Sequence, residues 1–492
     1  MGEDKERNLP IVTQRGEPHL IGRGNGNALT GETDTAQTSV QSDRDWLAVT
    51  LAALASAYQV PGAQLAVHRN GVTITAEVGD LEYGLGIPIT RQTAFPTGSI
   101  SKVWTATLAM ILVADGDLEL DAPLEDYLPE LGYLGSKLTL CHLLSHTSGF
   151  ASSPDTPALS TLSPGRYVHQ HCRWQDLILP PGTAFSYSSR NYALVGHLIE
   201  TITGMNWSEA VESILLRPLG VDLATVVKAP RERAIATGHS VNVALGRTRT
   251  VQQSLAPAEA PAGALAMSAA DLVALGLMHI GSGVPALLPA AYAKRMRQAL
   301  PGADPFGLAD GWGLGLAVFR GATTDWVGHD GNANGTSCYL RIDPAGECVV
   351  ALNTNANTGS PLWDELCIKL GLPDPPQMLR QRDNSARLEA ASEELVGRYA
   401  NGSVDYLVTA AGGELFLELG SELITRLVFC DGLDFLMQDS ASGQRQHAGR
   451  FLRDPITKHI EYLQIGGRLA SRRPLTVPEA RSPADSISRV SV

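Results

Sequence analysis

A polar, proline-containing stretch from Pro373 to Arg387 divides this chain into two parts of different texture, and that division most constrains its fold. The 492 residues are too many for one ordinary core, so two or more folding units are expected. Upstream of the stretch, helix and strand signals alternate. Trp46, Leu47, Val49, Leu51, Leu54 and Ala55 recur at helical spacing until Val60-Pro61-Gly62. Two strand-like runs follow, Gln64–His68 and Val72–Val78, joined by Arg69-Asn70-Gly71, where the Asn-Gly pair predicts a hairpin. Further strands are predicted over Ser337–Ile342 and Glu347–Asn353, about the turn Asp343-Pro344-Ala345-Gly346. Downstream, short runs at regular spacing (Tyr406–Thr409, Glu414–Leu419, Arg426–Cys430, Leu433–Gln438, Gln446–Leu452, His459–Ile465) predict a small antiparallel barrel or sandwich.

Charge and cysteine usage narrow the partners. With 38 basic against 51 acidic residues the net charge is −13, and no basic run interleaved with aromatics occurs, so no nucleic-acid partner is expected. No apolar stretch is long enough to span a bilayer, so no membrane partner is expected either. Six scattered cysteines without a Cys-x-x-Cys pair read as buried thiols. Met1 to Asp43 lacks a basic segment followed by an apolar one, so the expected location is cytoplasmic. His169, His171 and Cys172 lie close together but have no second half at ligand spacing, and no metal is assigned to them.

The chemistry is carried by Thr97-Gly98-Ser99-Ile100-Ser101-Lys102. Ser99 and Lys102 are three apart, which on a helix places both on one face, near an N-terminus that favours developing negative charge. A neutral lysine there can take the serine proton, provided burial or nearby cations lower its pKa. Only seven residues are lysine, and this is the chain's only Ser-x-x-Lys. Two further segments qualify. In Phe185-Ser186-Tyr187-Ser188-Ser189, Tyr187 sits where a loop becomes an apolar helix and is read as a second proton acceptor, with a phenol depressed by the Lys102 ammonium. In Val327-Gly328-His329-Asp330-Gly331-Asn332, His329 can bond the tyrosine or the substrate, and Gly331 lets a substrate backbone approach. The backbone N–H groups of Ser99 and Asn332 would form an oxyanion hole. Asp330 is read as either a solvated turn residue or a carboxylate for a substrate ammonium.

In this order, Ser-x-x-Lys, then Tyr-x-x, then His-x-Gly, the chain resembles the serine hydrolases related to class C β-lactamases and DD-peptidases. Leu143-Leu144-Ser145-His146-Thr147-Ser148-Gly149 and Gly311-Trp312-Gly313-Leu314-Gly315 strengthen the resemblance, which runs from about residue 44 to 365. It implies an α+β fold: an antiparallel sheet flanked by helices, with a helical subdomain inserted between its early and late strands. His146 would be a packing and hydrogen-bonding residue. It implies Ser99 as nucleophile, Lys102 and Tyr187 as the proton-handling pair, and His329 with Gly331 as the third motif, with no metal or cofactor. Ser189 stands where the family usually has Asn, and His-x-Gly replaces the Lys-Thr-Gly of true β-lactamases. That replacement resembles certain DD-peptidases, D-amino-acid peptidases and the penicillin-binding-protein-type thioesterases.

The expected organisation is an unstructured arm over 1–43, a β-lactamase-like domain over 44–372, a linker over 373–388, a lipocalin-like barrel over 389–475 and a mobile tail over 476–492. Three functions stay open: a serine hydrolase of small peptides, amides or esters; an acyltransferase or macrocyclase using the same serine; and a non-catalytic ligand-binding homologue. The partner is a small molecule or short peptide, and the barrel leaves room for a homo-oligomer.

Overall fold

The computed structural model describes residues 32–153, 159–227, 233–284, 287–373, 393–419, 423–439, 445–454 and 456–474. Helix α1 (Glu32–Ala57) starts earlier than the spacing from Asp45 predicts, so residues 32–43 are helical rather than part of an arm. No Gly or Pro interrupts Glu32–Asp45, Gln41 bonds Asp45 one turn on, and Val40 packs on the same core as Trp46. Residues 1–31 of the expected arm, 374–388 of the expected linker and the tail 476–492 lie outside the described residues.

The first unit is built on seven antiparallel strands. Their order is β2 (Val72–Gly79), β1 (Gly62–Arg69), β11 (Cys348–Thr354), β10 (Thr336–Asp343), β9 (Asp325–Ala333), β8 (Ala317–Arg320) and β7 (Gly311–Trp312). The β1–β2 hairpin turns on Asn70 and Gly71, both at positive φ (51° and 76°), as its Asn-Gly pair predicts. Side chains alternate between two cores. Along β11, Val349 and Ala351 join one cluster while Val350 and Leu352 join the other. The second cluster is closed by α1, through Leu47, Leu51 and Leu54, and by the helix Gly359–Leu370, through Leu362, Trp363 and Leu366. The first is closed by the helix Ala269–Ile280 and by helix α2 (Ser101–Asp115), in which every residue from Ser101 to Leu112 is buried. Each fully buried Leu contributes about 1.5–3 kcal/mol, so both faces need their helices.

The helical subdomain lies between β2 and β7. A short pair, β3 (Phe95–Pro96) with β6 (Ala266–Met267), and a hairpin, β4 (Gly238–Asn242) with β5 (Arg247–Val251), tie it to the sheet. After the linker comes a closed barrel of β12 (Gly397–Asn401), β13 (Val404–Ala411), β14 (Glu414–Leu419), β15 (Leu423–Asp431), β16 (Asp434–Asp439), β17 (Arg445–Arg453), β18 (Ile460–Ile465) and β19 (Arg468–Arg473). Six of the eight were predicted. The two missed, β12 and β19, pair with each other and close the barrel. Tyr399, Phe435, Phe451 and Leu463 pack inside it, so its own side chains fill it.

Candidate active site

The nucleophile turn is clamped from behind. Thr97 donates to the Leu265 carbonyl through its backbone N–H (3.0 Å) and its hydroxyl (2.7 Å). Gly98 then takes φ +50°, and a tight turn over Gly98–Ile100 leads into α2. Lys102 follows one turn later and is 1% exposed, because α2 is apolar on all sides. Its Nζ lies 3.1 Å from Ser99 Oγ and donates to the Ala262 carbonyl at 2.8 Å. Burial first, and the Arg468 guanidinium second, lower the Lys102 ammonium to about 7, with Glu259 opposing. A large share of Lys102 is therefore a free base at neutral pH.

Tyr187 enters from the opposite side. Ser188 caps the helix Ser189–Thr203, accepting from the Arg190 N–H and donating to the Ala151 carbonyl (2.7 Å). That cap fixes Tyr187 one residue earlier. The phenol bonds Ser99 and lies 3.5 Å from His329 Nε2. The ring packs on His146 (4.4 Å between centroids) and Trp312 (5.8 Å). Here the sequence reading needs correcting. Burial pushes the Tyr187 phenol up to about 12, outweighing the Ser99 hydrogen bond and Arg468, which pull it down. The phenol is therefore not depressed as the sequence predicts, whereas burial lowers Lys102.

His146 supports this arrangement from below. It is fully buried at φ +58°, and its Nδ1 accepts from Ser188 N–H (3.2 Å) and Asn191 Nδ2 (3.0 Å). A non-glycine residue in that region marks a backbone held by its surroundings.

The third motif lies along β9. His329 Nδ1 stands 2.6 Å from the Asp330 carbonyl, which places its proton there and leaves Nε2 to accept from Tyr187. Burial and the Lys102 charge hold the imidazole down to about 4, so it is neutral. Two glycines interlock β9 with the nucleophile turn. A Cβ at Gly331 would stand 2.0 Å from the Thr97 carbonyl, and one at Gly98 would stand 2.2 Å from the Asn332 carbonyl.

Asp330 does not join this group. Strand alternation turns it to the other face, where its carboxylate takes the guanidinium of Arg341 at 2.5 Å. Arg341 is 1% exposed and lies over the Phe319 ring at 3.7 Å, so Asp330 neutralises a buried cation instead of meeting a substrate ammonium.

Ser99, Lys102, Ser189 and Asn332 share a cleft of about 180 Å³ with Glu259 and Gln253, neither of which the sequence reading selected. Glu259 did carry a signal: it is the one acid in the small-residue run Ala256–Ala264. Arg468 carried none, because it reaches the site from the barrel. The β18–β19 turn docks there directly: Gly467 accepts from Tyr187 N–H (2.9 Å) and donates to the Phe306 carbonyl (2.9 Å). Leu469 N–H bonds Ser186 Oγ (3.2 Å), and buried Gln464 donates to the Asp304 carbonyl (3.1 Å). This brings the Arg468 guanidinium to 5.9 Å from the centre of the Tyr187 ring.

Comparison with known proteins places the chain among relatives of the same fold. The family model described as Beta-lactamase matches residues 47–366. Penicillin-binding protein 4 of Amycolatopsis lactamdurans is 34% identical over 332 residues, which are 64% of this chain and 86% of that protein. The crystal structure of SurE is 37% identical with a TM-score of 0.78, covering 88% of this chain and 99% of SurE. SurE with D-Leu gives 35% and 0.76, covering 88% and 100%. A class C β-lactamase of Rhodobacter sphaeroides shares the fold alone, at 22% identity and a TM-score of 0.54 over 65% of this chain and 98% of its own. The match spans both α2, with its Ser-x-x-Lys, and β9, with its His-x-Gly, and the chain belongs to the β-lactamase family of serine hydrolases.

Proposed function

We propose that this protein forms an acyl-enzyme on Ser99 and hydrolyses small peptides, amides or esters whose acyl residue has the D configuration. The observation that carries the reading is the buried Lys102 amine, 3.1 Å from Ser99 Oγ and lowered to about 7. Neutral Lys102 takes the Ser99 proton as Oγ bonds the substrate carbonyl carbon. The oxyanion is met by the backbone N–H groups of Ser99 and Asn332, at the positive end of α2. As the carbon–leaving-group bond breaks, the Tyr187 hydroxyl donates its proton to the departing atom and is reprotonated from Lys102. His329 holds that hydroxyl in place. Water then repeats the cycle in reverse: Lys102 takes its proton, the new oxygen bonds the acyl carbon, and Ser99 leaves with the proton returned.

The D configuration is supported by the likeness to SurE, whose structure is described with D-Leu. A second reading, transfer of the acyl group to an amine, is favoured by one feature: the β18–β19 turn packs against the Tyr187 side of the site, and a site covered in this way disfavours attack by water. Both readings are tested with N-acetyl-D-leucine and N-acetyl-L-leucine thioesters in the presence of D-alanine amide as acceptor, following acid and amide products by mass. The D thioester is expected to react at least about 10-fold faster, in a Ser99-dependent way. Equal rates for the two enantiomers would remove the D assignment.

A further inference from the structure

Glu259 has no part in the proton transfers above, yet it stands on the cleft wall beside Lys102. Its side chain belongs to a residue only 5% exposed. Such a carboxylate is costly to bury without a cation. Among the described residues, none lies within ion-pair distance of it. Its partner is the Ser153 hydroxyl, while Lys102 and Arg190 act on it only at longer range. Arg190 turns its two terminal nitrogens to the His171 and Ser152 carbonyls, at 2.6 and 3.1 Å, and to Asp176, while its Nε has no hydrogen-bond partner among the described residues. Lys102 is spent on Ser99 and the Ala262 carbonyl. The cleft that Glu259 faces is small, with Ser99, Ser189, Gln253 and Asn332 on its walls beside the apolar Val226 and Leu255. Burial pushes the Glu259 carboxyl up, so an incoming cation would find a buried carboxyl group whose charged form it stabilises, with acceptor capacity to spare and close to the nucleophile.

We propose that Glu259 is a subsite for a primary ammonium group on the substrate, seated within about one residue of the reacting carbonyl. This rests on the acyl-enzyme reading of Ser99 and narrows its substrates to those carrying a free amine. The amine has two possible sources: the α-amine of the acyl donor, or the amine of an acyl acceptor. For an acceptor, the neighbouring Lys102 base takes the proton that the ammonium must lose before its nitrogen attacks the acyl carbon and Ser99 leaves.

The experiment uses the full chain as wild type, Glu259→Gln and Glu259→Asp at pH 7. Labelling by a neutral fluorophosphonate reports whether Ser99 is competent in each. In the donor arm, kcat/KM is measured for D-leucine thioester with a free amine and for its N-acetyl form. In the acceptor arm, N-acetyl-D-leucine thioester is offered D-alanine amide, and the ratio of amide to acid product is read. Taking ratios cancels any change that Glu259→Gln makes through Lys102, because both members of each pair use the same base. The expected result is a 10- to 100-fold fall in one of the two ratios for Glu259→Gln, the size of a charge-assisted hydrogen bond, partly restored in Glu259→Asp. The arm that falls identifies the source of the amine. Both ratios unchanged, in variants that still label, overturn the subsite. A wild type that fails to label overturns the Ser99 reading instead, so the two failures are distinguishable.

Discussion

Replacing Lys102 with methionine is expected to slow acylation of Ser99 by about 10³–10⁴-fold while leaving the fold intact. Methionine matches the length of the side chain and suits a helix that is buried along its whole first three turns. Only the amine is lost, together with its contact to Ser99 and its bond to the Ala262 carbonyl. Neither Tyr187 nor His329 replaces it as a base. The Tyr187 phenol is held near 12, and the His329 imidazole, though neutral, has its free nitrogen facing Tyr187 rather than Ser99.

The same assignment fixes the pH profile. Lys102 must be neutral to act, and its proton leaves at about 7. The rate of the wild type at low substrate therefore rises about tenfold per pH unit below that value and levels off above it. Arg468 is one cause of the lowering, so Arg468→Gln restores part of the lysine's affinity for its proton and moves the rising limb to higher pH. Stopped-flow acylation across pH 5–9, beside thermal melts, checks both results. A Lys102→Met variant that acylates within tenfold of wild type, or a limb unmoved in Arg468→Gln, would contradict the role given to Lys102.

Gly331→Ala is expected to lower kcat/KM by at least about 10²-fold through geometry alone. The added Cβ would stand 2.0 Å from the Thr97 carbonyl and 3.0 Å from the Ile100 backbone nitrogen. Both are backbone atoms of the nucleophile turn, so relief requires that turn and the end of β9 to move apart. That displaces Ser99 from Asn332, the two donors assigned to the oxyanion. A stability loss of about 1–3 kcal/mol accompanies it, as for other overpacked interiors. Gly98→Ala reports on the same interface from the other side, since its Cβ would stand 2.2 Å from the Asn332 carbonyl. Steady-state kinetics and melting curves separate the two effects. A stable Gly331→Ala enzyme with near wild-type kcat/KM would show that the interlock does not position the site.

What could be read from the sequence was what is local. Ser99 and Lys102 share a helix turn, Asn70-Gly71 forces its hairpin, and β14 spans the very residues, Glu414–Leu419, that its composition marks out. What could not be read depends on contacts made across the chain. The proton affinity of Tyr187 is set by burial between His146 and Trp312 and beneath Gly467, which is 280 residues away (467 − 187). The partner of Asp330 is found only once the register of β9 on β10 brings Arg341 beside it.

The barrel edges failed for a different reason. Arg468–Arg473 holds three arginines and reads as coil, but Arg472 is consumed inside the structure by the carbonyls of Glu394, Val396 and Ile460. β12 has only five residues with one large apolar side chain, Tyr399, and takes its order from β13 and β19. Arg468 belongs to the same hidden strand, so the sequence kept the barrel's contribution to the site out of view.

The central claim is a covalent bond to Ser99, and the most direct measurement is the mass of the protein after exposure to a fluorophosphonate, with the adduct mapped by tandem mass spectrometry. The account predicts one adduct per chain, on the peptide that contains Ser99, absent from Ser99→Ala and slow to form in Lys102→Met. No adduct on the wild type, or one that persists in Ser99→Ala, would contradict it.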